Sequence, residues 1–108
     1  MGAPRTSPRM GTDAVTADPK HYKVEFENAH VRVLRARYGP HEKSVMHSHP
    51  PVVAVFLNGL RGQFTYPDGR VEPVTAKAGE FQYSESHQHL PENLGDEPFE
   101  VLLVEFKS

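Results

Sequence analysis

The chain contains no cysteine among its 108 residues. A disulfide framework, a thiolate nucleophile and a cysteine-ligated zinc are therefore excluded, and the composition fits a reducing cytoplasm, the compartment expected for it. Long hydrophobic runs are also missing. Nowhere do about 18 apolar residues, the number needed to span a bilayer, follow one another, and Met1 to Lys20 lacks the apolar stretch of a signal peptide. No block of like charge is present: 12 Lys and Arg face 14 Asp and Glu, for a net charge of −2. Without a clustered basic face, nucleic acid is not an expected partner, and without an anchor neither is a membrane. No window carries a sustained helical stripe, and no internal repeat of fixed period occurs. A chain of this size forms one domain, burying roughly 60 to 68 % of its unfolded surface.

What is present is alternation with a period of two. Residues 1–20 stand apart, with Gly2, Pro4, Pro8, Gly11 and Pro19 and only Val15 as a sizeable branched aliphatic. They are expected to form a flexible tail, docking at most as an arm, ahead of a domain over residues 21–108. From Tyr22, the residues Tyr22, Val24 and Phe26 alternate with Lys23, Glu25 and Glu27, as in a half-buried strand. Val52 to Leu57 is apolar on both faces, as for a wall strand packed outside by a second sheet or a partner. Asn58-Gly59, Pro67-Asp68-Gly69, Lys77 to Glu80 and Asn93 to Pro98 read as turns, and Phe99 to Phe106 as a long closing strand. Eight to ten short strands between such turns predict an all-β antiparallel sandwich or barrel. The exposed edge Tyr22 to Phe26 is free to add to a partner's sheet, so a homodimer is expected.

Four of the seven histidines lie in two His-x-His pairs, His47-Ser48-His49 and His87-Gln88-His89. Alternate side chains of a strand share a face, so each pair presents two imidazoles together. Neutral imidazole is the commonest protein ligand for zinc, iron, copper and nickel, and several such nitrogens make a metal site without cysteine. The competing reading is strand histidines with ordinary hydrogen bonds. His87 is either a fourth ligand, a proton carrier beside the metal, or a side chain thrown outward by a bend, the last being preferred. His41, after Gly39-Pro40, reads as a rim residue, and His21 and His30 at strand ends are assigned no role. Met46, Gln63, Tyr66, Phe81 and Tyr83 alternate along inner faces as filling, with Gln63 and Tyr83 as the polar candidates for a substrate pocket. Glu92 reads as an exposed turn carboxylate in preference to a general base.

Together these residues resemble a single-domain cupin of the jelly-roll type. Gly39, His47-Ser48-His49 and Gly59 stand where the first cupin motif has its glycine, His-x-His and closing glycine. His89-Leu90-Pro91-Glu92-Asn93 matches the end of the second motif, and Lys77-Ala78-Gly79-Glu80 resembles its opening turn. The likeness covers roughly residues 22 to 108. At the usual spacing of the motif's glutamate this chain has Val53 or Ala54, and the gap from Gly79 to His89 is longer than the motif's. The resemblance therefore implies a jelly-roll barrel in which His47, His49 and His89 bind one divalent metal ion, as in the three-histidine iron centres of some cupin dioxygenases. Fe2+ is the metal it favours, with Zn2+, Ni2+ or Mn2+ as alternatives. The implied function is a mononuclear non-haem iron dioxygenase acting on a small anionic substrate. Alternatives are a non-catalytic metal- or small-ligand-binding cupin and a metal-dependent isomerase or hydrolase.

Overall fold

Alternation of the kind seen in Phe99 to Phe106 becomes strand throughout a computed structural model that describes residues 11–107. A single helical turn, α1 (Ala14–Ala17), precedes nine strands: β1 (Tyr22–Glu27), β2 (Val31–Tyr38), β3 (His47–His49), β4 (Val52–Phe56), β5 (Leu60–Thr65), β6 (Val71–Ala76), β7 (Phe81–Ser84), β8 (His87–Asn93) and β9 (Phe99–Phe106). They form a five-stranded sheet in the order β1-β2-β9-β4-β7 and a four-stranded sheet in the order β3-β8-β5-β6. Every strand pairing is antiparallel. This is the all-β jelly-roll architecture expected from the sequence, with two sheets that are not joined into a closed ladder.

The core lies between the sheets, on the face of β2 and β9 that carries Leu34, Ala36, Tyr38, Phe99 and Val101, together with Tyr22 and Phe56. Stacking of Tyr38 on Phe99, with ring centroids 5.0 Å apart, and a 2.7 Å hydrogen bond between the Tyr22 and Tyr38 hydroxyls knit its centre. The opposite face of the five-stranded sheet is also apolar. Register aligns Phe26 with Val33, Val33 with Val104, Val104 with Val53, and Val53 with Tyr83 in one row across all five strands. A neighbouring row aligns Leu102, Val55 and Phe81. This explains why Val52 to Phe56 is apolar on both sides.

Two expectations need correction. Val24 and Phe26 do not share a buried face: they are 45 % and 54 % exposed, because β1 is an edge strand and its register shifts between them. Val24 pairs with Leu34 and Phe26 with Val33, so the bulge sends them to opposite sides. Phe81 and Tyr83 point outward, not inward, and Tyr66 belongs to the surface of the β5–β6 hairpin, where its ring lies 4.3 Å from the Arg70 guanidinium. Finally, of the expected tail, residues 12 to 18 take the docked form that the sequence reading allowed for an arm. Asp13 caps α1 through Oδ2, forms a parallel bridge with Ser48, and leaves Ala14 fully buried. Residues 1–10 of the expected tail lie outside the described residues.

Candidate metal centre

Strand β3 is only three residues long, and all three are buried. Pro50 follows it directly, which ends its ladder. It pairs with β8 so that His47 faces His89 and His49 faces His87. Cross-strand partners share a face, so this register gathers both His-x-His pairs on one side of the four-stranded sheet. One ring nitrogen from each of His47, His49 and His89 lies within 4.8 Å of the others, and these three side chains are 0 %, 4 % and 6 % exposed. His87 is turned inward as well, correcting the preference for an outward side chain: its ring centroid lies 4.5 Å from that of His89 and 5.5 Å from that of His49. It is only half-buried and is not part of the converging set.

Hydrogen bonds decide which nitrogens are open. His47 Nδ1 lies 2.8 Å from the Val45 carbonyl, which only accepts, so Nδ1 carries the proton and Nε2 a lone pair. His49 Nδ1 lies 2.7 Å from Glu105 Oε2 and donates to that carboxylate, leaving a lone pair on its Nε2 too. These two Nε2 atoms are 3.1 Å apart. Two lone pairs facing each other in a buried space repel unless a shared proton or a metal ion lies between them. Nitrogens about 2.1 Å from a shared ion are about 3.0 Å apart when the angle at the ion is about 90°, so the spacing suits a metal. His89 adds a second sign: neither of its buried ring nitrogens has a hydrogen-bond partner. Buried polar atoms are normally satisfied, and an orphaned imidazole among two others is the arrangement a metal completes. The residues present fit a divalent ion.

Electrostatics agree. Burial, then the neighbouring His49, pushes the His47 imidazolium down to about 4. Burial and the three surrounding histidines hold His89 well below the usual histidine value, and burial lowers His87. Neutral rings are the ligating form.

Beside the histidines, a cavity of about 80 Å³ runs between the sheets. Its walls are largely apolar, with Phe56, Phe64, Val101 and Leu103 among them, and β7 adds the polar residues Gln82 and Ser84, paired with Ala54 and Val52 of the same wall. Gln63, a sequence-predicted pocket residue, borders the cavity through β5, but it pairs with Glu92 one position off the Phe64–Pro91 pair, so its side chain lies on the face away from His89 and donates Nε2 to Glu92 Oε1 at 3.2 Å. Tyr83, the other, is 52 % exposed and outside the cavity, because its partner Val53 lies on the outer face. Glu92 is not in a turn as expected: it sits half-buried within β8, where alternation sends its side chain to the face opposite His89 and Pro91. Gly62 faces the Glu92 carbonyl so closely that any side chain there would overlap it. His41 is exposed, apart from the cavity, with a 2.7 Å contact to Asp96.

Two groups escaped the sequence reading. Glu105 is 2 % exposed and supports His49. Its signal was available, since period two places it on the same face of β9 as Phe99 and Val101, where a carboxylate is out of place. His21 is buried with Nδ1 at 2.7 Å from Asp18 and Nε2 at 3.0 Å from Glu42, its ring stacked on Tyr38 with centroids 4.3 Å apart. Nothing in the local pattern around Pro19-Lys20-His21 marks it.

No family model matches the sequence, and no curated protein resembles it in sequence. Solved structures do resemble it in fold. A cupin domain from Bordetella pertussis Tohama I, 20 % identical, superposes with a TM-score of 0.75 over 94 % of this chain and 100 % of that one. A Cupin 2 conserved barrel domain protein from Salinispora arenicola is 22 % identical, with a TM-score of 0.60 over 81 % and 75 % of the two chains. An uncharacterized conserved protein with a double-stranded β-helix domain from Klebsiella pneumoniae is 23 % identical, with a TM-score of 0.62 over 77 % and 72 %. Identities this low speak to fold alone. In topology and in these neighbours the chain is a single-domain cupin fold, with three buried histidines able to bind a metal ion.

Proposed function

We propose that His47, His49 and His89 hold one divalent metal ion and that the chain is an enzyme of the mononuclear non-haem iron dioxygenase type, acting on a small enol, diketone or phenolic anion. The observation that carries the metal is the pair of Nε2 lone pairs of His47 and His49 facing each other at 3.1 Å beside an unpartnered His89. When bound, Fe2+ would supply dioxygen activation, whereas Zn2+, Ni2+ or Mn2+ would supply Lewis acidity.

The chain's own residues supply the rest. Val45 and Glu105 hold the His47 and His49 rings in the tautomer that directs Nε2 inward. Three neutral rings do not compensate the charge of a divalent ion, and Glu105 is already paired with Arg32 at 2.7 Å. An anionic substrate is favoured on that ground. The apolar walls keep water away from the reacting groups, and the small cavity limits the substrate to a compact molecule.

A second reading is a redox-silent isomerase or hydrolase, in which the ion would act as a Lewis acid in the same apolar cavity. The two are separated by elemental analysis of untagged protein, followed by oxygen uptake across small carbonyl and phenolic acids after anaerobic Fe2+ loading. Oxygen consumption dependent on one substrate supports the dioxygenase. Tight metal binding with no oxygen uptake rejects it, and metal-dependent isomerisation or hydrolysis of one of those acids then supports the second reading. Metal binding without either activity leaves a binding cupin.

We also propose that the protein is a homodimer through the outer face of the five-stranded sheet. Its support is the apolar row from Phe26 to Tyr83 together with Phe81 of the neighbouring row, which is 76 % exposed, since contiguous exposed apolar residues mark an interaction surface. Sedimentation showing only a monomer at micromolar concentration rejects this.

A further inference from the structure

Three buried or half-buried acids, Asp13, Asp18 and Glu105, are joined to the histidines without lining the cavity. Two of them belong to residues 12 to 18, which lie along β3. The Ser48 amide donates to the Thr12 carbonyl at 2.8 Å, Asp13 bridges Ser48, and Ala14 is fully buried. This arm therefore grips the strand that carries His47 and His49.

A continuous hydrogen-bonded path starts at Asp13. Its carboxylate takes the Arg32 guanidinium through both oxygens. From its other side Arg32 donates Nε and Nη2 to Glu105 Oε1 at 2.9 and 2.7 Å, and Glu105 Oε2 accepts from His49 Nδ1 at 2.7 Å. A shorter path leaves Asp18, whose Oδ2 accepts from Ser44 Oγ at 2.6 Å, and that hydroxyl lies 3.4 Å from His47 Nδ1. Each carboxylate of the arm thus ends behind a different histidine of the centre.

The arrangement has a physical consequence. Arg32 lies in an open groove with Glu27 on its rim, and Asp13 is what holds the guanidinium in the orientation that leaves Glu105 Oε2 free for His49. A cation on Nε2 polarises the imidazole and makes Nδ1–H a stronger donor. That strengthening passes to Glu105, then Arg32, then Asp13, so the docked arm gains interaction energy when metal is present. By linkage the docked arm must tighten metal binding by the same factor.

We infer that Asp13 and Asp18 are positioning residues for the metal centre, so that docking of the N-terminal arm and binding of the metal are coupled; this rests on His47, His49 and His89 being the ligands. The test uses the full chain and Zn2+, a diamagnetic probe read by NMR and hydrogen exchange without any assay of activity. Zn2+ loading should slow exchange of the Ser48, Val15 and Thr16 amides and reveal the Nδ1–H protons of His47 and His49. Direct partners of metal-bound histidines are typically worth about 10- to 100-fold in affinity, so one link further out Asp13→Asn should weaken Zn2+ binding about 5-fold. It should also move the His49 Nδ1–H resonance while leaving that of His47 in place. Asp18→Asn should move the His47 resonance instead, with a smaller change in affinity because the Ser44 contact is long. Asp68→Asn, in the β5–β6 hairpin, should do neither.

A purely structural arm would lower the melting temperature of Asp13→Asn without changing Zn2+ affinity or the His49 resonance, and that result overturns the coupling while leaving the ligand set intact. Should Asp13→Asn fail to fold, the wild-type exchange experiment decides, since arm amides indifferent to Zn2+ equally overturn it. Wild-type protein that takes up no Zn2+ overturns the ligand set itself and the coupling with it.

Discussion

His21 and His89 are almost equally buried, at 5 % and 6 % exposure, yet their surroundings are opposite. Both nitrogens of His21 are engaged by carboxylates, at 2.7 Å from Asp18 and 3.0 Å from Glu42. Both nitrogens of His89 lack any partner, and its neighbours are three more imidazoles. Burial of a polar ring is offset locally in one case and left open in the other. The difference separates a histidine that holds the fold together from one kept available for an ion, which burial alone does not reveal.

Exchanging the two losses gives the sharpest contrast. A binding free energy on the order of 12 kcal/mol, the scale of structural zinc sites, spread over three ligands is about 4 kcal/mol each, so His89→Ala should weaken metal binding about 1,000-fold. The fold should persist, because an unsatisfied ring has been removed. His21→Ala should do the reverse, retaining metal while losing about 3 kcal/mol of stability, since Asp18 is left buried without that partner. Elemental analysis and urea unfolding of the two variants check this. Equal metal loss in both would erase the distinction.

Acid should expose the same contrast in the metal-free protein. His47 titrates at about 4 in the folded chain and at about 6.5 when unfolded. Above about pH 6.5 neither state binds the proton, and stability is unaffected. As pH falls from about 6.5 to about 4 the unfolded chain takes up a proton that the folded chain refuses, so stability drops by on the order of 3 kcal/mol. The lowered His87 and His89 act in the same direction. The acids around His21 behave differently. Burial raises Asp18, but hydrogen bonds from Ser44 and His21 outweigh it and hold the carboxyl below its usual value. The Gly39 amide, with His21 and Lys20, holds Glu42 down to about 2. Their contribution is present above about pH 4 and is lost only below it, as they protonate. Denaturation at pH 7.5, 6 and 5 should show the histidine slope, and metal loading should move it to lower pH.

A smaller effect is expected behind His49. Glu105→Gln keeps the shape but removes the charge, and should weaken metal binding about 10- to 100-fold, read by competition with a chelating dye. Smallest should be His87→Ala, with metal affinity within about 5-fold of wild type, because His87 stands beside the converging set and outside it. If it empties the site as His89→Ala does, the centre has four histidine ligands and one position fewer for oxygen chemistry.

By itself the sequence determined the strands, the turns and the histidines. Period two with Asn58-Gly59 and Pro67-Asp68-Gly69 is local chemistry, as is the fact that His47 and His49, or His87 and His89, share a face. Even Glu105 was legible, as a charge at an inward position of β9. Which side of a strand faces the core is not local, because alternation defines two faces without ranking them, and a one-residue slip exchanges them. That is why Phe81 and Tyr83 were assigned inward when their pairing with Val55 and Val53 sends them outward, and why the bulge after Val24 went unseen. Only tertiary structure set His47 against His89 across β3 and β8, brought Glu105 to His49, and laid residues 12 to 18 along β3. These contacts join residues distant in the chain, and their energy comes from register and shared burial, which no single window of sequence contains.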